Sequence, residues 1–160
     1  MGEGAAPVRN GWTLLATEEF NRQLASLAAD VEALRAADPN GWQKTPKAKF
    51  LARVVDILLN EVPADPAHKA FRQGATLGDS YKHWLRVKFL SRFRLFFRWD
   101  GKAKVIIYCW LNDESTLRKA GSKTDPYAVF TKRLQSGDPP DSWADLTEWA
   151  ASLTLPSDDT

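Results

Sequence analysis

Cysteine and histidine are nearly missing from this chain of 160 residues, which limits its metal and disulfide chemistry. There is one cysteine, Cys109, and there are two histidines, His68 and His83, which lie apart in the sequence. A single cysteine cannot form an internal disulfide, and no CxxC or HExxH motif is present, so we expect neither a disulfide framework nor a zinc site. Because Cys109 lies inside an apolar run, it is also a poor candidate for a nucleophile.

Motifs for nucleotide binding and membrane targeting are missing as well. The sequence contains no P-loop, no GxGxxG and no GxSxG, so we expect no nucleotide cofactor and no serine-hydrolase elbow. The N-terminus lacks the apolar core of a signal peptide, and no apolar run is long enough to span a bilayer. These absences predict a cytoplasmic protein that needs no cofactor, metal or membrane.

Hydrophobic periodicity predicts an α+β domain that starts with a strand at 12–15 and two helices. Thr17 is placed to cap the first helix, Thr45-Pro46 to start the second, and Pro63 to end it. Each helix carries one apolar stripe, and the two stripes are predicted to pack together as an antiparallel hairpin. The stripes are Phe20, Leu24, Leu27, Val31 and Leu34, then Phe50, Val54, Leu58 and Val62.

The apolar period changes to two after residue 81, which is typical of strands. Alternation over 82–89 and 92–99, a turn at Asp100-Gly101 and an apolar run at 105–111 predict a three-stranded antiparallel meander. Asp125-Pro126 and Ser142 then begin two C-terminal helices. We expect a single domain over residues 10–154, with flexible termini at 1–9 and 155–160.

Positive charge is concentrated on this meander. Residues 82–104 hold eight Lys or Arg and one acid, Asp100, although the net charge of the chain is only +2. Trp84 and Phe96 share the parity of the strand cations, and aromatic rings beside cations suit a surface that binds nucleic acid. We therefore expect a basic, solvent-facing sheet face that holds a phosphate backbone, and an ordinary solvated strand face is the alternative.

Four further residues, within this stretch or after it in the sequence, are candidates for the site. Arg118-Lys119 follow the predicted central strand and can bring two more cations to the rim, although a generic polar loop is the alternative. Tyr127 lies in the first turn of the next helix, where core packing is the alternative. His83 lies on the apolar parity, so a partly buried histidine is as consistent with the pattern as a catalytic one.

The order of several segments resembles the YhaV family of toxins, within the RelE/ParE-like superfamily of bacterial type II toxin–antitoxin systems. The resemblance covers most of the chain, from about residue 10 to 149, and rests on the ordered set rather than on one motif. It implies a RelE-like fold, with an N-terminal helical hairpin packed on a small antiparallel sheet and C-terminal helices. The segments are YKHWLRVKF (81–89), RFRLFFR (92–98), YCWLNDE (108–114), LRK (117–119), DPYAVF (125–130) and GDPP (137–140).

Membership of this family implies an mRNA interferase, a toxin that cleaves RNA without a metal ion, often on the ribosome, and inhibits translation. It also implies neutralisation by a PrlF-like antitoxin of the AbrB type, and binding to operator DNA only as the toxin–antitoxin complex. The sequence departs from the best-studied RelE pattern in its longer helices, its added C-terminal helix and its lack of a matching catalytic tail.

Metal-free RNA cleavage implies roles for particular residues, because the 2′-hydroxyl must be deprotonated, the phosphorane stabilised and the leaving 5′-oxygen protonated. Arg86, Lys88 and Arg94 are expected to face the phosphate, with Lys88 or His83 as proton acceptor. Tyr127 is expected either to stack on a base or to transfer a proton. The catalytic candidates are Arg86, Lys88, Arg94, Arg118, His83 and Tyr127. The RNA-binding candidates are Lys82, Trp84, Arg92, Arg98 and Lys119.

Three other functions are compatible with the sequence. A small sheet flanked by helices can bind duplex RNA by shape without cleaving it. A toxin of the same fold can act on a protein target, although such a toxin does not need a dense cationic face. A plain interaction scaffold is the third alternative, and its expression should be harmless to the host.

Overall fold

The computed structural model describes residues 5–156 and confirms the predicted α+β class. Parts of the predicted flexible termini, residues 1–4 and 157–160, lie outside the described residues. The strands are β1 (Val8–Arg9), β2 (Trp12–Thr17), β3 (Leu85–Phe89), β4 (Phe93–Asp100), β5 (Val105–Leu111) and β6 (Ala150–Ser152). The helices are α1 (Glu18–Ala37), α2 (Pro46–Asp56), α3 (Val62–Ala64), α4 (Pro126–Gln135) and α5 (Trp143–Trp149).

The two N-terminal helices begin at the predicted caps. Thr17 Oγ1 accepts a hydrogen bond from the Phe20 amide at 3.2 Å, and the Thr45 side chain caps α2. The second helical segment runs further than predicted, because a π-helical turn at Ile57–Glu61 leads into α3, which contains Pro63. Proline fits the first turn of a helical segment, where its missing N–H leaves no hydrogen bond unmade.

The sheet contains the predicted meander but is mixed rather than antiparallel. Strands β3, β4 and β5 pair antiparallel in that order, as predicted. The strand β2 then pairs parallel to β5, with Leu14 opposite Ile106, and β1 and β6 pair antiparallel to β2. The expectation of a purely antiparallel sheet was wrong, because the helical segments after β2 provide the long crossover that parallel pairing requires.

Both faces of this sheet are covered by other elements. One face packs its Phe97 and Tyr108 with Phe20 and Leu24 of α1 and Val54 of α2. On the opposite face, Trp84, Phe96 and Trp110 pack with Phe130 of α4 and Leu146 of α5. The prediction of a solvent-facing basic face was therefore wrong. Across the described part of the chain, no helix is long and apolar enough to cross a membrane.

Burial also removes the aromatic rings that were expected to contact RNA bases. Trp84 and Phe96 are both 0% exposed, and the Phe96 ring is stacked on Phe130 with centroids 4.2 Å apart. The prediction of Trp84 as a base-stacking residue was wrong. The alternation along a strand shows on which side of the sheet a ring lies, but it does not show which elements pack on that side.

Candidate active site

Helix α4 holds Tyr127 against the cationic part of the sheet. Asp125 caps the helix, with its Oδ2 accepting from the Tyr127 amide at 3.1 Å, and Pro126 follows at the first helical position. The Tyr127 side chain is 5% exposed and meets the edge of Phe96, with centroids 5.8 Å apart. The phenol is therefore fixed in position by the cap, the helix and the sheet together.

Two buried arginines converge on the Tyr127 hydroxyl. Arg86 Nε donates to it at 2.8 Å and Arg94 Nε at 3.0 Å. The register explains the convergence, because Arg86 lies opposite Phe96 and Arg94 lies opposite Lys88, which puts both arginines on one face of adjacent strands. Arg86 and Arg94 are only 8% and 7% exposed, so this arginine pair is almost fully desolvated.

The positive charge of the arginine pair has no carboxylate partner within residues 5–156. Arg86 Nη1 donates to the Ala70 carbonyl at 2.8 Å, and Arg94 Nη1 donates to the carbonyls of Phe93 and Ser91 at 2.8 and 3.1 Å. The two Nη2 groups make no hydrogen bond to the described protein and keep contact with solvent. Buried charges are costly unless compensated, so this arrangement is ready to receive an anion.

Arg118 adds a third cation above the same phenol ring. Its guanidinium carbon lies 4.8 Å from the centroid of Tyr127, and that of Arg94 lies 5.7 Å away. Arg118 Nη1 is held by Asp125 Oδ1 at 2.8 Å, and the same oxygen accepts from the Lys119 amide at 2.7 Å. Because the ring is buried and carries these guanidinium groups, the expectation that Tyr127 stacks on an RNA base was wrong.

Asn112 joins the loop that carries Arg118 to the sheet, and no pattern in the sequence predicts this role. Its Oδ1 accepts from the Arg94 amide at 2.7 Å, and its Nδ2 donates to the Thr116 carbonyl at 2.6 Å. Arg92 strengthens the same junction, since its Nε donates to the Arg118 carbonyl at 3.0 Å. The site is thus built on two strands, one helix cap and one pinned loop.

Asp125 is expected to contribute to stability as well as to the site. We expect Asp125→Ala to lower the free energy of unfolding by about 0.5–2 kcal/mol, because α4 loses its N-cap. Urea unfolding of the purified variant and wild type measures this. Glu32→Ala, an exposed change within α1, is the control, and equal midpoints for Asp125→Ala and wild type would contradict the structural role.

The remaining predicted site residues divide into solvent-exposed cations and a separate cluster. Lys88 is exposed directly across the strands from Arg94, so it lies beside the arginine pair. Lys82 is exposed and pairs with Asp79 at 3.6 Å, while Arg92 and Lys119 are exposed near the Arg118 loop. Among these, Lys88 has the closest relation to the arginine pair.

His83, Trp84 and Arg98 gather instead around Asp141. His83 Nε2 and Trp84 Nε1 each lie 2.7 Å from Asp141 Oδ1, and Arg98 Nη1 donates to the Asp141 carbonyl at 2.7 Å. The Arg98 guanidinium lies over the rings of Trp84 and Trp143, where burial lowers its pKa and nearby Asp141 opposes that change. These contacts tie the start of β3 to the C-terminal segment, and none of them involves Tyr127.

Other chemistries find little support in the described residues. Burial strongly raises the pKa of the Cys109 thiol, which keeps it protonated and unreactive. Residues 5–156 contain no group of three or more His, Cys, Asp or Glu side chains placed to hold a metal ion. The arginine pair with Tyr127 and Arg118 is therefore the strongest candidate for the site.

Comparison with known proteins finds a family match over most of the chain. The model of the YhaV toxin family, described as a toxin with endonuclease activity of a toxin–antitoxin system, matches residues 14–151. The chain is 46% identical over 141 residues to Toxin YhaV of Escherichia coli O6:H1 (strain CFT073), covering 87% of this chain and 92% of that protein. It is also 46% identical over 140 residues to Ribonuclease toxin YhaV of Escherichia coli K12, covering 86% and 91%. No solved structure matches the chain significantly.

Proposed function

The chain belongs to the YhaV family of toxins with endonuclease activity from toxin–antitoxin systems, and we propose that its arginine pair binds the scissile phosphate of RNA. The observation that carries this proposal is the pair of nearly buried guanidinium groups that share one phenol and lack a carboxylate partner in the described chain. A phosphodiester supplies the missing negative charge, and arginine suits phosphate because its donors are arranged as a planar fork.

Cleavage then proceeds by attack of the RNA's own 2′-hydroxyl on the adjacent phosphorus. The bond from the 2′-oxygen to phosphorus forms, the bond to the 5′-oxygen breaks, and the products are a 2′,3′-cyclic phosphate and a 5′-hydroxyl. Arg86 and Arg94 stabilise the charge on the non-bridging oxygens of the phosphorane, and Arg118 adds positive charge above the Tyr127 ring. Donors that are fixed before reaction give the largest stabilisation, since they need no reorganisation during it.

Tyr127 is the proton donor to the leaving 5′-oxygen in this mechanism. Its hydroxyl oxygen already accepts from Arg86 Nε and Arg94 Nε, so both lone pairs are occupied. The phenol proton is then the only hydrogen-bonding function that the group has left to offer. The two bound guanidinium groups also stabilise the phenolate that remains after transfer.

As the acceptor of the 2′-hydroxyl proton we favour Lys88 over His83. Lys88 lies exposed beside Arg94 in the register, whereas His83 is held against Asp141 in the separate cluster. In this mechanism the neutral amine of Lys88 accepts the proton of the 2′-hydroxyl. The exposed Lys82, Arg92 and Lys119 guide the rest of the backbone towards the arginine pair through long-range attraction. Arg98 serves this surface indirectly, by holding the C-terminal segment in place.

We also propose the finer features that the family resemblance implies. Residues 10–154 form a single RelE-like domain in which the α1–α2 hairpin packs on the sheet. The substrate is mRNA, cleaved on the ribosome without a metal ion. The inhibitor is a PrlF-like antitoxin of the AbrB type, and operator DNA is bound only by the complex of the two proteins.

Incubation of the purified protein with end-labelled RNA in the presence of a chelator tests the activity. We expect fragments that end in 2′,3′-cyclic phosphate. Intact RNA that stays bound to the protein would instead favour a non-catalytic RNA-binding module. Intact, unbound RNA together with growth arrest on expression would favour a toxin that acts on a protein target, and harmless expression would favour a scaffold.

A further inference from the structure

A pocket of about 560 Å³ lies between α4 and the loop that precedes β3. We infer that this pocket is a nucleobase subsite, which takes a base next to the phosphate held by the arginine pair and selects bases that carry an exocyclic amino group. The inference rests on the proposed RNA cleavage. The volume of the pocket falls within the range of about 300–1,000 Å³ that is typical of small-ligand sites.

Both walls of the pocket adjoin residues of the arginine site. On the helix side the wall consists of Ala128, Thr131 and Gln135. Each of these residues follows a buried residue of α4, and the first of those buried residues is Tyr127. Ala128 directly follows Tyr127, so their Cα atoms are about 3.8 Å apart. On the loop side, the chain reaches the pocket shortly after Ala70, whose carbonyl binds Arg86. We therefore place the nucleotide beside the bound phosphate in this pocket.

The loop wall is held in a defined shape by a buried glutamine. Gln73 is 4% exposed, and its Oε1 accepts from Thr76 Oγ1 at 2.6 Å and from the Leu77 amide at 3.2 Å. Its Nε2 donates to the Tyr81 carbonyl at 2.8 Å. Three bonds from one buried side chain thus fix the loop on which Asp79 and Tyr81 are carried, and such satisfied internal networks give rigid binding surfaces.

Several polar side chains that line this pocket remain available to a ligand, whereas the hydroxyls of Thr76 and Thr131 already donate within the protein. In the described part of the chain, the side chains of Ser80, Tyr81 and Gln135 make no hydrogen bond. Asp79 makes only a 3.6 Å contact with Lys82, and its side chain is 88% exposed. Tyr81 supplies an aromatic ring, which is the usual partner for an unstacked RNA base.

The acceptors in the pocket determine which base fits. The Asp79 carboxylate only accepts hydrogen bonds, and the Gln135 amide accepts as well as donates. Adenine, cytosine and guanine each carry an exocyclic amino donor, whereas uracil has carbonyl oxygens in place of amino groups. Uracil offers only its N3–H, which lies between two carbonyl oxygens, so a carboxylate that accepts from this donor also meets a neighbouring oxygen. We therefore expect uracil to be disfavoured at one position flanking the cut.

Sequencing of the cyclic-phosphate ends from an RNA library randomised around the cut tests this selectivity. For the wild type we expect uracil to be depleted by about tenfold at one flanking position. In Asp79→Asn and Gln135→Ala that depletion should largely disappear. Tyr81→Ala should raise KM more than it changes kcat. Glu148→Gln, an exposed change in α5, is the matched control and should keep the wild-type profile.

The possible failures are distinguishable from one another. If the wild type shows no uracil depletion, the subsite is overturned and the proposal of RNA cleavage is unaffected. The same holds if uracil depletion persists unchanged in both Asp79→Asn and Gln135→Ala. Absence of cleavage by the wild type, or full activity of Arg86→Ala, would instead overturn the proposed function itself.

Discussion

Replacement of Arg86 or Arg94 by alanine is expected to reduce RNA cleavage by about 10²–10³-fold. Each arginine offers the developing phosphorane a donor that is already desolvated and already oriented by Tyr127. Loss of one guanidinium removes that donor and also frees the phenol to rotate. The initial rate of cleavage of a labelled oligonucleotide under single-turnover conditions measures the effect.

Matched variants separate catalysis from charge and from folding. Lys102→Ala removes one positive charge from the exposed β4–β5 turn and should retain nearly full activity. Arg86→Lys keeps the charge but loses the planar fork, so we expect it to remain strongly impaired. Circular dichroism and thermal unfolding show whether each variant is folded. A folded Arg86→Ala or Arg94→Ala protein with wild-type cleavage would refute the phosphate-binding role.

The double variant Arg86→Ala/Arg94→Ala is informative because the two residues share one partner. Side chains in one hydrogen-bond network couple, so their effects are not additive. We expect the double variant to lose less than the product of the two single losses, since either single change already loosens Tyr127. Strict multiplicativity would indicate that the arginines act independently.

Local patterns in the sequence are sufficient to predict the helices and strands that carry the site. Thr17, Thr45 and Asp125 are predictable as caps because each offers a side-chain acceptor to backbone N–H groups only two or three residues away, and the helices begin directly after these residues. The alternation along β3 and β4 correctly put Arg86, Arg94 and Phe96 on one face. A strict side-chain period of two makes that prediction independent of the rest of the fold.

Long-range packing determines the features that no local sequence pattern predicts. Which side of the sheet faces water depends on where α4 crosses, and the stripe of Tyr127, Phe130 and Leu134 gives no direction for that crossing. Asn112 meets Arg94 and Asp141 meets His83 through contacts that span many residues, so neither has a local pattern. The burial of the cations is itself the main functional signal, because a covered guanidinium without a carboxylate is far more unusual than an exposed one.

Tyr127→Phe is expected to lower the rate of cleavage by about 10²–10⁴-fold, the range in which a lost proton donor acts. The change keeps the ring, its contact with Phe96 and the cations around it, and removes only the hydroxyl that both Nε groups share. Two buried donors then lose their acceptor, so the free energy of unfolding should also fall, by about 1–3 kcal/mol. Thermal and urea unfolding of the variant determine how much of the protein is folded in the assay.

Substrate chemistry separates proton donation by Tyr127 from its structural role. An RNA in which sulfur replaces the bridging 5′-oxygen has a leaving group that departs as a thiolate and needs no proton. If Tyr127 protonates the leaving oxygen, Tyr127→Phe should cleave this substrate at nearly the wild-type rate, while Arg94→Ala should remain slow because the phosphorane still lacks its cation. Equal defects of Tyr127→Phe on the oxygen and sulfur substrates would show that the hydroxyl only orients the arginine pair. The difference between these outcomes follows from the geometry of the Tyr127 hydroxyl. Its oxygen already accepts hydrogen bonds from two guanidinium groups, so it can interact with the substrate only by donating its proton.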